Sequence, residues 1–257
     1  MDIAFKDWHR YINRLSSINK KAADEMRKWI NANGGYANIP TDKVIDYAYA
    51  LATKYGEASA TLSAIMYDNV AQLSGAVVPA AVPASTSTYG EVAKAIQGSA
   101  KFSENVDYLS EVVGRLVKQA GADTTLQNAL RDGAQFAWIP SGDTCMFCLT
   151  LGSRGWQYAS KKAVNNGHAE HIHSNCDCTY AVRFNNDTNI KGYDPDAYLK
   201  IYEDADGYTS KEKINAMRRE AYALNKEKIN AQKRIAYAKR KELNSSRTEE
   251  MNVDDIS

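Results

Sequence analysis

CMFC at residues 145–148 and HSNCDC at residues 173–178 contain all four cysteines of a 257-residue chain: Cys145, Cys148, Cys176 and Cys178. Two histidines, His171 and His173, lie just before the second pair. Cysteines two residues apart can turn both sulfurs toward one ion, and a second set at the far end of a loop can close a tetrahedral zinc site. Five groups compete for four positions. Cys145, Cys148, Cys176 and His173 rank first as ligands, Cys178 competes with them, and His171 is assigned a place beside the site. Two disulfides, or four reduced cysteines packed in a core, are the alternatives, and the spacing favours metal.

Working outward, Cys176, Cys178, Tyr180, Val182 and Phe184 alternate with polar or small residues, the pattern of a strand with one buried face. Cys178 is therefore the most core-directed of the four. Phe136, Trp138, Ile139, Phe147, Leu149 and Leu151 flank the first pair. So few core residues make a marginal module, for which a structural metal is the usual remedy. Arg154 and Trp156 lie on the long loop between the pairs, and Trp156 is expected to pack over the metal site.

Upstream, Phe5, Trp8, Ile12, Leu15, Asn19, Ala22, Met26 and Trp29 fall at alternating steps of three and four, which predicts a helix over 2–31. Asn33-Gly34-Gly35 ends it. Pro40, Thr41 and Asp42 open a second helix with the stripe Ala48, Leu51, Tyr55, Ala58, Leu62, Ile65 and Asn69. The two should fold back on each other as an antiparallel hairpin. Asn19 and Asn69 lie on its seam. Residues 75–88, GAVVPAAVPASTST, read as a linker. Thr88 with Glu91 forms a capping box. One helix is expected from Glu104 to Gln119, and another capped by Thr124 or Thr125 and running through Leu126 and Leu130.

Beyond the cysteines, Gly192-Tyr193-Asp194-Pro195 is a turn followed by a short helix to about Glu203. KEKINAMRREAYA from Lys211 then recurs as KEKINAQKRIAYA from Lys226, with ten of thirteen positions identical. Lys211 to Arg247 carries twelve Lys/Arg against four Asp/Glu, too basic for a core helix. It predicts an exposed arm for a partner surface or for phosphates, with Arg218, Arg219, Lys226, Lys228, Lys233, Arg234, Lys239 and Arg240 as the nucleic-acid candidates. The expected class is thus mainly α with a small β-containing Cys/His metal module (α+β), a long N-terminal helical hairpin and an extended basic C-terminal helix. The expected divisions are residues 1–75, a linker at 76–90, the helical and zinc-like part at 91–190, and the basic helix and tail at 191–257. The net charge of +1 excludes nothing by itself. No run approaches the roughly 20 apolar residues of a membrane span. The N-terminus lacks an apolar signal core, so reducing, cytosol-like conditions are expected.

The run FAWIPSGDTCMFCLTLGSRGWQYAS followed by GHAEHIHSNCDCTYAV resembles the minor capsid (portal-associated minor head) proteins of tailed bacteriophages. The matching positions are Trp138, Pro140, Ser141, Gly142, Cys145, Cys148, Ser153, Arg154, Gly155, Tyr158, His173, Cys176 and Cys178. The resemblance covers about residues 130–245, and Asp177 replaces the arginine usual between the last two cysteines. It implies a low-copy virion component without enzymatic activity that attaches to the portal or major capsid protein and assists head assembly, packaging or ejection. It further implies a structural Zn2+, contact with genomic double-stranded DNA, no membrane association, and residence in the virion or, during assembly, the host cytoplasm.

Three rivals remain. Glu170-His171-Ile172 resembles the start of a zinc-containing HNH-like nuclease motif, but the downstream Asn and His are missing, and a closed thiolate cage lacks the open site of a catalytic metal. A hydrolase with Cys145 or Cys148 as nucleophile and His171 or His173 as base would leave the paired cysteines unexplained. A DNA-binding regulator would need a basic recognition helix, yet residues 149–172 offer only Arg154, Lys161 and Lys162.

Overall fold

Trp8, Tyr11, Ile12, Leu15, Ala22, Met26 and Ile30 recur at helical spacing and are all buried, which fixes α1 (Phe5–Ala32) in this computed structural model. The structure describes residues 2–3, 5–100, 106–141, 144–160 and 178–204. Gly34 and Gly35 take positive φ, 79° and 97°, and the Gly35 N–H closes on Ile30 O at 3.0 Å, ending α1 as its sequence predicts. A 3-10 turn, Tyr36–Asn38, leads to α2 (Thr41–Leu73). α3 (Tyr89–Ala100) starts in the predicted capping box: Thr88 Oγ1 accepts from the Glu91 N–H at 3.3 Å, and Glu91 Oε2 accepts from the Thr88 N–H at 2.7 Å.

α4 (Val106–Asp132) organises the rest. The sequence suggests a break near Gly121, with a new helix capped at Thr124 or Thr125. Instead the helix is continuous. The Thr124 and Thr125 hydroxyls turn back onto Ala120 O and Gly121 O, at 2.7 and 3.4 Å, inside the helix. Residues from Leu109 to Ala129 are buried around its whole circumference. α1 and α2 each pack on α4 more extensively than on each other, so the expected hairpin is two sides of a bundle built around α4. Met26, Ile30, Val44, Ile96, Leu109 and Val113 form the core where α1–α4 meet. Complete burial of side chains of this size is worth about 1.5–3 kcal/mol each.

The stretch 76–88 carries no regular structure but is strapped to the bundle by side chains. Asn128 accepts from the Val82 N–H at 2.9 Å and donates to Val82 O at 2.8 Å. Thr124 Oγ1 takes the Ala84 N–H, Asp68 takes the Ala81 N–H, and Arg131 donates to Pro79 O and Ala80 O. These bonds answer backbone groups that neither helix nor sheet satisfies.

β2 (Gln135–Ile139) follows α4 and is the centre of a three-stranded antiparallel sheet. Next come α5 (Met146–Gly152), β3 (Gln157–Tyr158), β4 (Thr179–Arg183), β5 (Asn189–Ile190) and α6 (Pro195–Asp204). The sheet order is β3-β2-β4, with Phe136 opposite Val182, Trp138 opposite Tyr180 and Ile139 opposite Thr179. β4 does not alternate as its sequence suggests. Thr179 to Val182 are all buried because the sheet is covered on both sides. A short strand β1 (Asp2–Ile3) pairs in parallel with β5. The fold is therefore mainly helical α+β. By contacts the chain divides into Met1–Tyr202 and Glu203–Ser257, and all but the last two residues of α6 belong to the first. Among the described residues no helix is long and apolar enough to cross a membrane.

Two contacts define testable constraints. A Cβ on Gly121 would lie 2.6 Å from Ser59 Oγ, 2.8 Å from Ser63 Oγ and 3.3 Å from Ser59 O. The Ser63 hydroxyl is itself bonded to Tyr11 OH at 3.0 Å. Gly121→Ala gains about 1 kcal/mol of helix propensity. Overpacking against a second backbone costs about 1–3 kcal/mol and wins. The net loss of about 1 kcal/mol corresponds to a Tm fall of about 2–4 °C in a thermal melt.

The second constraint is Asp132, whose carboxylate receives Arg131 Nε and Nη2, each at 2.7 Å, and Tyr67 OH at 2.8 Å. Arg131, then Tyr67, holds it below the usual carboxylate range against the opposing effect of burial. A depressed native pKa gives stability that is present above the unfolded value of about 3.9 and is lost as pH falls through the native one. Asp132→Asn should lower Tm at pH 7 and flatten its decline from about pH 5 to pH 2. An acid limb parallel to that of the unaltered protein would exclude this role.

Candidate structural cysteine centre

β2 ends at Ile139 and is followed by Pro140 and Ser141. Cys145 is the N-cap of α5, with extended backbone (φ −79°, ψ 162°), and Cys148 lies inside its first turn. Residues three apart on a helix share a face, which is how C-x-x-C brings two sulfurs to one side. Cys148 is buried and Cys145 half-buried.

Cys178 arrives from the other end of the module, immediately before β4, and is fully buried. The Ser141 N–H donates to its sulfur at 3.3 Å. That bond gives Ser141 a physical role. It ties the β2 exit to the β4 entrance. Cys148 and Cys178 share one buried cluster with Ala122 and Leu126 of α4 and with Phe136, Trp138 and Tyr180 of the sheet, and Cys145 packs against it. None of the three is joined to another by a disulfide.

Trp138 and Tyr180 meet edge to face at 4.7 Å, and Phe136 meets Tyr180 at 5.5 Å. Both Trp138 Nε1 and Tyr180 OH are buried without a hydrogen-bond partner among the described residues. Burial, with smaller contributions from Asp123 and Cys148, pushes the Tyr180 phenol well above its ordinary pKa. Sequence spacing does not single out these two donors, because an aromatic on a strand reads as core. Cys178 and Thr179 also line a small pocket of about 10 Å3 of mixed character with Leu15, Asn19, Ser59 and Lys118, on the scale of one water molecule.

Trp156 departs from expectation. It packs with Tyr193, centroids 5.9 Å apart, and under the Arg183 guanidinium at 4.8 Å, in a cluster separate from the cysteines. Gly155, with φ 66°, turns the chain just before it, and Arg154 is exposed. The end of α5 is pinned instead by Pro140 and by Tyr193 OH, which donates to Gly152 O at 2.8 Å.

His171, His173 and Cys176 lie outside the described residues, as do Arg218, Arg219, Lys226, Lys228, Lys233, Arg234, Lys239 and Arg240. Among the described residues no three Cys, His, Asp or Glu side chains are gathered closely enough to hold a metal ion. Cys148 and Cys178 lie within one buried cluster, and Cys145 packs against it from the half-exposed side.

These features describe a mainly helical α+β protein in which Cys145, Cys148 and Cys178 belong to a packed sheet–helix junction. The VG15 protein family model matches residues 2–205, so the chain belongs to the VG15 family, a family of phage proteins. No curated protein and no solved structure matches it.

An unpartnered buried hydroxyl gives up hydration for nothing in return. Tyr180→Phe keeps both ring contacts and removes only that oxygen. Chemical denaturation should place it within about 1 kcal/mol of the unaltered protein, or above it. A larger loss would mean that the hydroxyl has an acceptor in solution.

Proposed function

We propose that this chain is a structural minor capsid protein of a tailed phage, attached to the portal or the major capsid protein and assisting head assembly, packaging or ejection. The observation that carries this reading is the convergence of cysteines from both ends of the module in one buried aromatic cluster. Cys148 and Cys178 are 1% and 0% exposed, which suits a clip and disfavours a nucleophile that must meet a substrate. Membership in a phage family and the W-x-P-S-G, C-x-x-C and H-x-x-C-x-C motifs support the same conclusion.

In this reading Zn2+ is held by four of Cys145, Cys148, His173, Cys176 and Cys178. The ion supplies a crosslink between the α5 knuckle and the β4 entrance and has no part in catalysis. Cys178 comes with its Ser141 amide bond already in place. The basic repeats, through Arg218, Arg219, Lys226, Lys228, Lys233, Arg234, Lys239 and Arg240, contact genomic DNA along its phosphates without reading sequence.

The deciding experiment is quantitative mass spectrometry of purified particles, paired with elemental analysis and a chelator melt of the untagged full-length chain. A few copies per particle, one zinc per chain and a lower Tm in chelator are expected. Absence from particles, together with sequence-selective DNA binding or DNA cleavage, would replace this reading with the regulator or the nuclease.

A further inference from the structure

Where the N-terminal part of α1 runs beside the C-terminal part of α2, the two helices leave an open groove of about 530 Å3. Its apolar surface comes chiefly from α2. Leu62 and Met66 are half-buried in it, while Ile65 and Leu73 are 52% and 59% exposed. These four lie at 62, 65, 66 and 73, the i, i+3, i+4 and i+11 positions of one helical stripe over about 17 Å. Exposed branched side chains of this size, grouped along one wall, mark an interaction surface more often than scattered surface apolars do.

The opposite wall is basic. Arg10 pairs with Asp7 at 3.5 Å, so that pair is neutral. Arg14, one turn further on and exposed, has no acidic partner among the described residues. Asn69 and Gln72 add amide groups on the α2 side. The groove therefore has an apolar wall about three helical turns long and, across from it, a cation with no acidic partner among the described residues. Nucleic acid would leave the apolar wall unsatisfied, and a wholly apolar segment would leave Arg14 facing hydrocarbon.

We propose that this groove seats an amphipathic helix of another particle protein, with apolar side chains at i, i+3 or i+4, and i+7 on the α2 wall and a carboxylate in register with Arg14. The source of that helix rests on the capsid reading above, whereas its chemistry rests on the groove alone. Binding lays the apolar stripe of the partner against Leu62, Ile65, Met66 and Leu73, and the Arg14–carboxylate pair at the rim fixes its direction and register.

The test places a benzophenone-bearing phenylalanine at Ile65 of the full-length chain in particle-producing cells, with the same group at Lys43, far along α2, as the control. The expected result is an adduct at position 65, mapped to an acidic amphipathic helix of a different protein. Arg14→Glu should reduce it at least tenfold at an unchanged melt, and Arg14→Lys should retain it. No adduct above the Lys43 control, an adduct to a second copy of this chain, or an adduct indifferent to Arg14→Glu would each overturn the proposal. Particle content is scored separately in the same preparation. A chain present in particles but lacking the adduct removes the groove and leaves the capsid reading. A mapped adduct from a chain missing from particles does the reverse.

Discussion

Gly121 brings α4 against Ser59 and Ser63 of α2 at a separation that leaves no room for a Cβ, and much of the architecture follows from that approach. With α2 this close on one side and Asn19 O only 3.3 Å from the Cβ position of Gly114 on the α1 side, α4 is enclosed along nearly its whole length. An enclosed helix cannot leave polar groups to solvent. Thr124, Thr125 and Asn128 accordingly turn inward onto backbone carbonyls or onto the strap at 80–84. The strap is thus the fourth wall of α4, and its hydrogen bonds come from side chains that a solvated helix would not need.

That geometry separates what was legible in the sequence from what was not. Local signals survived: the Gly34-Gly35 stop, the Thr88–Glu91 box and the Asp194-Pro195 start of α6, where Asp194 Oδ1 accepts the Ala197 N–H at 3.1 Å. Stripe reading succeeded in α1 and in the first half of α2, then failed. The apolar stripe continued through Ala58, Leu62 and Ile65, whereas the buried positions there are Gly56, Ser59, Ala60, Ser63, Ala64 and Tyr67. Small residues hold most of those positions because distance, not hydrophobicity, limits the contact at Ser59 and Ser63. The same logic hid the continuity of α4, since glycine and two threonines look like punctuation until a neighbouring helix explains them.

The cysteine centre was legible in part for the same reason. Spacing ties Cys145 and Cys148 to one local element, and α5 carries them at its N-cap and in its first turn. Spacing says nothing of the Ser141 amide that meets Cys178, nor of Trp138 and Tyr180. Those depend on the register of β2 against β4, which pairs Trp138 with Tyr180 across the strands. Trp156 went elsewhere because Gly155 redirects the chain toward Arg183 and Tyr193, where an indole can offer its face to a guanidinium.

Helices that turn their small faces inward must turn something else outward. Because α2 spends Gly56, Ser59 and Ser63 on α4, its larger side chains at 65 and 73 are left on the far side, and α1 likewise keeps Arg10 and Arg14 out. α1 and α2 are each drawn to α4 more than to one another, so their outer edges part toward the N-terminal end of α1. The groove there is a geometric consequence of the tight crossing, not an accident of surface composition. A bundle that closed α1 directly on α2 would need bulkier residues at 59 and 63, and would then lose both the enclosure of α4 and the strap that depends on it.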